Sequence, residues 1–256
     1  MLTQALSNSG RRIHKFHFLD KYLSPVRNQR QGAQCAYTAT ITCIEMIHHI
    51  LGIKIDSWSG PYYFNIDDVF NSLYNHYPNH PRAKEKHANK RGEGGTQIKH
   101  VLDFVKDIGL KVSTECYDPR YRDYLSGFDY EVERHKIASY KRLLGSNEVI
   151  SCLKRFPVIT LIYSCRSFKD CVTVLYNGPS AIEINKAKAD KRCHAVVIVG
   201  FVYIESQGKK ELHFILQNSY GEIFGFKGFA VVRYVKDFFL EFWEPVKGDK
   251  TDPVRI

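Results

Sequence analysis

The sequence predicts an α+β fold of two lobes, helical first and β-rich afterwards, and three observations carry that prediction. Apolar residues recur at helical spacing early in the chain, over 36–51 and again over 96–108. Four runs rich in β-branched and aromatic residues crowd the last third, at 157–163, 195–204, 212–217 and 229–235. Between the two halves lies a polar stretch, 71–95, broken by Pro78 and Pro81 and closing on Gly92-Glu93-Gly94-Gly95. Helices followed by antiparallel strands form separate lobes, and the cleft between them is where a site belongs. Within a single domain over 1–256, the helical lobe is expected at about 16–110, with a polar insertion near 71–91. The β-rich lobe is expected at about 111–235, and 236–256 reads as a C-terminal tail.

The elements follow in order. Residues 24–34 are rich in Pro, Gly, Asn and Gln and read as a loop. It runs into a helix whose apolar face is expected to hold Cys43, Ile44, Ile47, Ile50 and Leu51, with Gly52 placed to stop it. His48 and His49 fall within that helix and are expected on its surface. The stretch 71–95 is expected as an exposed loop. The next helix would present Ile98, Val101, Leu102 and Val105 on one side and end at Gly109. In the β-rich part, Ser206-Gln207-Gly208-Lys209 supplies turn chemistry between the second and third strands.

Composition narrows the function classes. With 44% apolar and 13% aromatic residues in 256, the chain can bury a substantial core. No apolar run approaches the roughly 18–20 residues of a membrane span. The net charge of +10 is spread along the chain, and its densest part, 82–91, carries no aromatic stacking platform. A nucleic-acid role is therefore not expected as the main function. Residues 1–15 hold no apolar core of a secretory signal, so a cytoplasmic location is expected. The seven cysteines lack CxxC spacing and suit reduced thiols. Cys193, His194 and His213 lack structural-zinc spacing, and Arg91-Gly92-Glu93-Gly94-Gly95 lacks the lysine of a phosphate loop, so no metal and no cofactor are expected.

One cysteine stands out by position. Cys35 sits where the loop enters the helix, and a helix N-terminus favours the thiolate, the reactive form. Such a nucleophile needs a base, and His194 opens the strongest strand of the sequence. The turn at Gly208 returns the next strand toward it, and that strand ends in Gln217-Asn218-Ser219. The Asn218 carbonyl is expected to accept the imidazole Nδ1–H, leaving Nε2 to face the thiol. Gln29, six residues before Cys35, could contribute its amide, with the Cys35 N–H, to an oxyanion hole.

These blocks carry a family resemblance. Pro25-Val26-Arg27-Asn28-Gln29 followed by Cys35 resembles the active-site approach segment of papain-like cysteine peptidases. Cys193-His194-Ala195-Val196 with Val199-Gly200-Phe201 is similar to their His-Ala-Val and Val-Gly-Tyr strand. Gln217-Asn218-Ser219-Tyr220-Gly221, with Gly225 and Gly228, is similar to their Asn-Ser-Trp-Gly segment. Gly92-Glu93-Gly94-Gly95 resembles their Cys-Asn-Gly-Gly segment, whose glycines line the cleft. The likeness runs over roughly 16–235. His194 and Asn218 lie 159 and 183 residues after Cys35. Such enzymes place them about 130–150 residues on, and 71–91 could hold the excess.

The resemblance implies a papain-like fold, with a helical lobe, an antiparallel β lobe and the site in the cleft between them. It implies a mature-domain-like thiol protease, lacking signal peptide and prosegment, that hydrolyses peptide bonds through a thioester. Cys35 would be nucleophile, His194 base, Asn218 its orienter and Gln29 the oxyanion donor, while Gly94, Gly95 and Tyr220 would bind substrate. Peptide or protein substrates, cystatin-type inhibitors and a monomeric state go with it. The departures are specific. The family's Gly-Ser-Cys-Trp is Ala33-Gln34-Cys35-Ala36 here, and the Trp over the His–Asn bond is Tyr220. Gly32 and Gly92 stand where two paired half-cystines stand in the family. Cys193 beside His194 is unusual, and only 24 residues precede Pro25. These changes keep open a second reading, a catalytically inactive homologue that binds proteins.

Overall fold

The computed structural model describes residues 2–7, 10–29, 34–53, 63–76, 96–112 and 134–248. The fold is α+β, as the sequence predicts. Helices α1 (Leu2–Ser7), α2 (Cys35–Ile50), α3 (Ile66–His76) and α4 (Ile98–Asp107) come from the first half. The sheet takes β1 (Ile13–Phe18), β4 (Ser139–Leu143), β5 (Val158–Tyr163), β6 (Leu175–Tyr176), β7 (Cys193–Ser206), β8 (Lys209–Gln217), β9 (Phe229–Arg233) and β10 (Phe239–Val246). Their spatial order is β4-β10-β5-β7-β8-β9-β6, with β1 also on β7, and every pairing is antiparallel except β6 with β9. β2 (Leu110–Lys111) and β3 (Arg134–His135) pair by themselves. Helices α5 (Ser146–Leu153), α6 (Arg166–Lys169) and α7 (Ala181–Ala189) lie between strands.

Helix α2 is about 24 Å long at 1.5 Å per residue, and it is the centre of the fold. The sequence predicts one apolar face, but every residue of 36–48 is buried, polar ones included. The helix packs on α3 and α4 on one side and on β7 and β5 on the other. A helix enclosed on all sides has no solvent face to read from periodicity. His48 is accordingly in the core and not on the surface. Its ring meets Phe64 edge-on at 5.3 Å, and burial pushes its pKa down to about 2. His49 is half-buried.

Two further expectations change. The segment expected as a loop from residue 71 starts inside α3, an amphipathic helix that buries Val69 and Leu73. Asp67 and Asp68 stand in its first turn, where the helix dipole favours acids, and Asn65 Oδ1 accepts the Asp68 N–H at 3.0 Å. The rest of that stretch, from residue 77 to Gly92, Gly94 and Gly95, lies outside the described residues. The segment 236–256, expected as a tail, contributes β10, which is inserted between β4 and β5. A register shift between Phe239 and Glu241 and the presence of Pro245 blur its alternation. β1 likewise joins the sheet, although its residues precede or fall within the expected helical lobe.

Strand β7 organises both lobes. Ala195, Val197 and Val199 face the core around α2, while Val196 and Ile198 face the opposite core under Phe168 and Phe238. Beyond residue 200 the phase inverts, with Val202 and Ile204 on the α2 side and Phe201 on the other. A bulge between Ile198 and Gly200 against β8 supplies the extra residue that inverts it. There β7 also changes neighbour, from β5 to β1. Gly200 is required at that crossing, because a Cβ would sit 2.3 Å from the His17 carbonyl oxygen. The hairpin that follows turns at Gln207 and Gly208, both at positive φ (50° and 73°), the two-residue form that matches strand twist.

Gly200→Ala tests this crossing. Forcing a methyl onto the His17 backbone is expected to cost about 2–3 kcal/mol or more in denaturant unfolding, and an unchanged midpoint would show that β1 can move aside.

Candidate active site

The loop before α2 is held by one buried ion pair. Glu45, in the middle of α2, is fully buried, and its carboxylate accepts two hydrogen bonds from the Arg27 guanidinium, at 2.6 and 2.8 Å. Arg27 also donates to Thr42 Oγ1 at 2.9 Å, and the Phe64 N–H donates to Glu45 at 2.7 Å. Backbone pairing then ties the loop to the chain after β8. The Gln29 N–H donates to the Ser219 carbonyl at 2.8 Å, the Gly221 N–H to Arg27 at 3.1 Å, and Asn28 bridges Tyr220. The Gln217 side-chain amide donates to the Ser24 carbonyl at 2.8 Å.

This lacing brings the sequence-predicted residues together. Cys35 is the first residue of α2. Its sulfur has the backbone N–H groups of Ala195, Ala36 and Cys35 as neighbours, which places it beside the residue after His194. Burial nevertheless pushes the thiol pKa up, outweighing those N–H groups and the Lys169 ammonium, which pull it down. The helix N-terminus acts in the direction the sequence suggested, and desolvation is the larger effect.

His194 and Asn218 meet through strand register. Val197 pairs with Gln217 across β7 and β8, so Asn218 continues past the end of β8 toward the start of β7. The buried His194 ring bonds Asn218 Oδ1 at 2.7 Å, through Nε2 and not through the Nδ1 that the sequence reading assigned. The same Oδ1 accepts the Ser219 N–H at 2.7 Å, which identifies it as the carbonyl end of the amide. In the neutral imidazole Nε2 therefore carries the proton, and Nδ1 is the basic nitrogen. The reversal is a matter of side-chain rotation, which strand order does not specify. Burial pushes the imidazole pKa down to about 4, against the Asn218 bond that raises it.

Tyr220 stacks on the imidazole, with ring centroids 4.5 Å apart and planes within 19°. It covers the ring where the resemblance implied a tryptophan. Its own hydroxyl is pushed up by burial and by the nearby Cys35. Phe168 of α6 meets the imidazole at 6.4 Å. Gln29 stands at the same place, with its Oε1 accepting the Ser219 hydroxyl, so the amide NH₂ is its donor end. Cys193 is exposed at the start of β7, one residue before His194.

Several residues of the site were not singled out from sequence. Ser219, Gln217 and Phe168 belong here, as does the Arg27–Glu45 pair. Ser219 and Gln217 flank Asn218, and that contiguity was an available signal. Arg27 and Glu45 are 18 residues apart across a loop and a helix, with no local pattern to connect them.

No protein-family model and no curated protein sequence matches the chain. Solved structures do. A cysteine protease of Carica candamarcensis in complex with E-64 superposes with a TM-score of 0.60 at 16% identity, covering 92% of this chain and all (100%) of that one. Bromelain from Ananas comosus in complex with E64 gives 0.61 at 15% identity, over 92% and 100%. The proform of the ragweed pollen cysteine protease Amb a 11 gives 0.62 at 16% identity, over 93% of this chain and 66% of that one. The chain has the papain-like cysteine-protease fold.

The ion pair should behave as a unit. Arg27→Met alone leaves a bare carboxylate in the core and is expected to cost about 3–5 kcal/mol of unfolding free energy. Arg27→Met with Glu45→Met should recover much of that loss, and a double variant as unstable as the single one would contradict the assignment.

Proposed function

We propose that the chain is a cysteine-type endopeptidase, a thiol protease that hydrolyses peptide bonds in peptide or protein substrates. The observation that carries this reading is the covered His194–Asn218 pair at the N-terminus of the helix that begins with Cys35. In this reading Nδ1 of His194 takes the Cys35 proton as the sulfur attacks the scissile carbonyl carbon. An S–C bond forms and the carbonyl π pair moves to oxygen. The Cys35 N–H and the Gln29 amide donate to that oxyanion. As the carbonyl re-forms, the C–N bond breaks and Nδ1–H passes its proton to the departing amine. Water then loses a proton to Nδ1 and attacks the thioester carbon, releasing the acid and returning the proton to sulfur. Asn218 holds the ring through both steps, and Tyr220 keeps water from competing for that bond.

The second reading, a protein-binding homologue without turnover, draws on the burial of both reacting groups, which favours neutral thiol and neutral imidazole. One experiment separates the two. The folded protein is treated with an epoxysuccinyl inhibitor of the E-64 type, and adducts are located by intact mass and peptide mapping. A single adduct on Cys35, absent in Cys35→Ala and strongly slowed in His194→Ala, is the expected result. No adduct, or adducts scattered over several cysteines, would favour the binding module.

The pH profile of kcat/KM is expected to be a broad bell. Activity needs one proton on the Cys35–His194 pair, whether it resides on sulfur or on nitrogen. A second proton enters only as the pH falls toward the imidazole value of about 4. The last proton leaves only above the ordinary thiol range, since burial raises the thiol. An acid limb near the unperturbed imidazole value of about 6.5 would contradict the burial of His194 in the working enzyme.

A further inference from the structure

Resting on the proposed peptidase reading, we infer that Lys169 makes the leaving-group side of the cleft selective for a substrate carboxylate. The side is set by chemistry. The departing amine takes its proton from His194, so the residues around His194 flank the leaving half of the substrate. Those residues come from the segment joining β5 to α6. Tyr163 pairs with Cys193, and the Ser164 N–H donates to the Arg192 carbonyl at 2.9 Å, so this segment runs beside the start of β7. Phe168 then turns inward, fully buried, against the imidazole. Lys169 is the next residue and is exposed.

The Lys169 ammonium acts on two groups carried by different elements. It stabilises the thiolate of Cys35 on α2 and disfavours protonation of His194 on β7. Lys169 follows Phe168 in α6, and the Phe168 ring lies 6.4 Å from the imidazole, so the Lys169 ammonium is carried on the segment that runs beside the start of β7. Two cations of the adjoining segments are already matched. Arg166 pairs with Asp170 at 3.3 Å and Arg192 with Asp190 at 2.7 Å. Glu183 is occupied by the Ser167 and Ser180 N–H groups at 3.0 and 3.2 Å. Lys169 has no ion-pair partner among the described residues. An uncompensated ammonium beside the departing amine suits an anion on that half of the peptide. Two sources supply one: an Asp or Glu side chain, or the terminal carboxylate of a short leaving segment.

Three peptides identical up to the scissile bond test this. Their leaving segments carry Ala with an amidated end, Asp with an amidated end, and Ala with a free carboxylate. Each enzyme's own acid-to-neutral ratio of kcat/KM is measured for wild type, Lys169→Ala and Lys169→Glu, at low and high salt. An exposed ion pair predicts a wild-type ratio of about two- to fivefold, falling at high salt, near one in Lys169→Ala and below one in Lys169→Glu. Preference for the Asp peptide assigns the site to an acidic side chain, and preference for the free carboxylate assigns it to a chain end. Ratios equal in the three enzymes overturn the role of Lys169 while leaving the peptidase reading intact. Cleavage of no peptide together with no E-64-type adduct on Cys35 overturns both.

Discussion

The geometry of the cleft depends on a single buried ion pair. Glu45 lies in a helix with no solvent face, and a carboxylate there is tolerated only because Arg27 meets it with two parallel hydrogen bonds. The residue that supplies the counter-charge is also the one that locates the loop. Around Arg27, the carbonyls of Ser24 and Arg27 and the N–H of Gln29 are all bonded to residues 217–221. The pair thus fastens the loop to α2, and the loop fastens α2 to the end of β8. Cys35 and Asn218, far apart in the chain, share a neighbourhood through this lacing.

The burial that builds the site also opposes its charges. A low-dielectric surrounding strengthens the His194–Asn218 bond and makes the stacked Tyr220 an effective cover. The same surrounding raises the thiol and lowers the imidazole. Charge separation within the pair must therefore be supported locally, by the N–H groups around the sulfur and by Asn218 on the ring. Lys169 acts unequally on the two partners, helping the thiolate and opposing the imidazolium. An anion beside it would weaken both effects together.

The sheet has its own constraint at Gly200. There β7 exchanges β5 for β1, the bulge shifts its phase by one residue, and the His17 carbonyl approaches within a distance no side chain permits. Without that phase change, Val202 and Ile204 would turn away from the core around α2. One strand thereby faces two cores from Ala195 to Ile204, while presenting His194 near its start.

The sequence by itself determined the elements whose signals are local. Gln207-Gly208 forced the β7–β8 hairpin, the hairpin carried Asn218 back to His194, and the loop before α2 put Cys35 at a helix N-terminus. Strand β10 and helix α3 from residue 71 on were obscured, one by a bulge and Pro245, the other by a polar surface around the buried Val69 and Leu73. Only the tertiary structure decided that α2 is enclosed, because enclosure comes from neighbours and leaves no period in the helix itself. It alone joined Arg27 to Glu45, chose Nε2 over Nδ1 for Asn218, and set Phe168 against the His194 ring. Those are matters of side-chain direction and long-range contact, and no spacing along a chain encodes them.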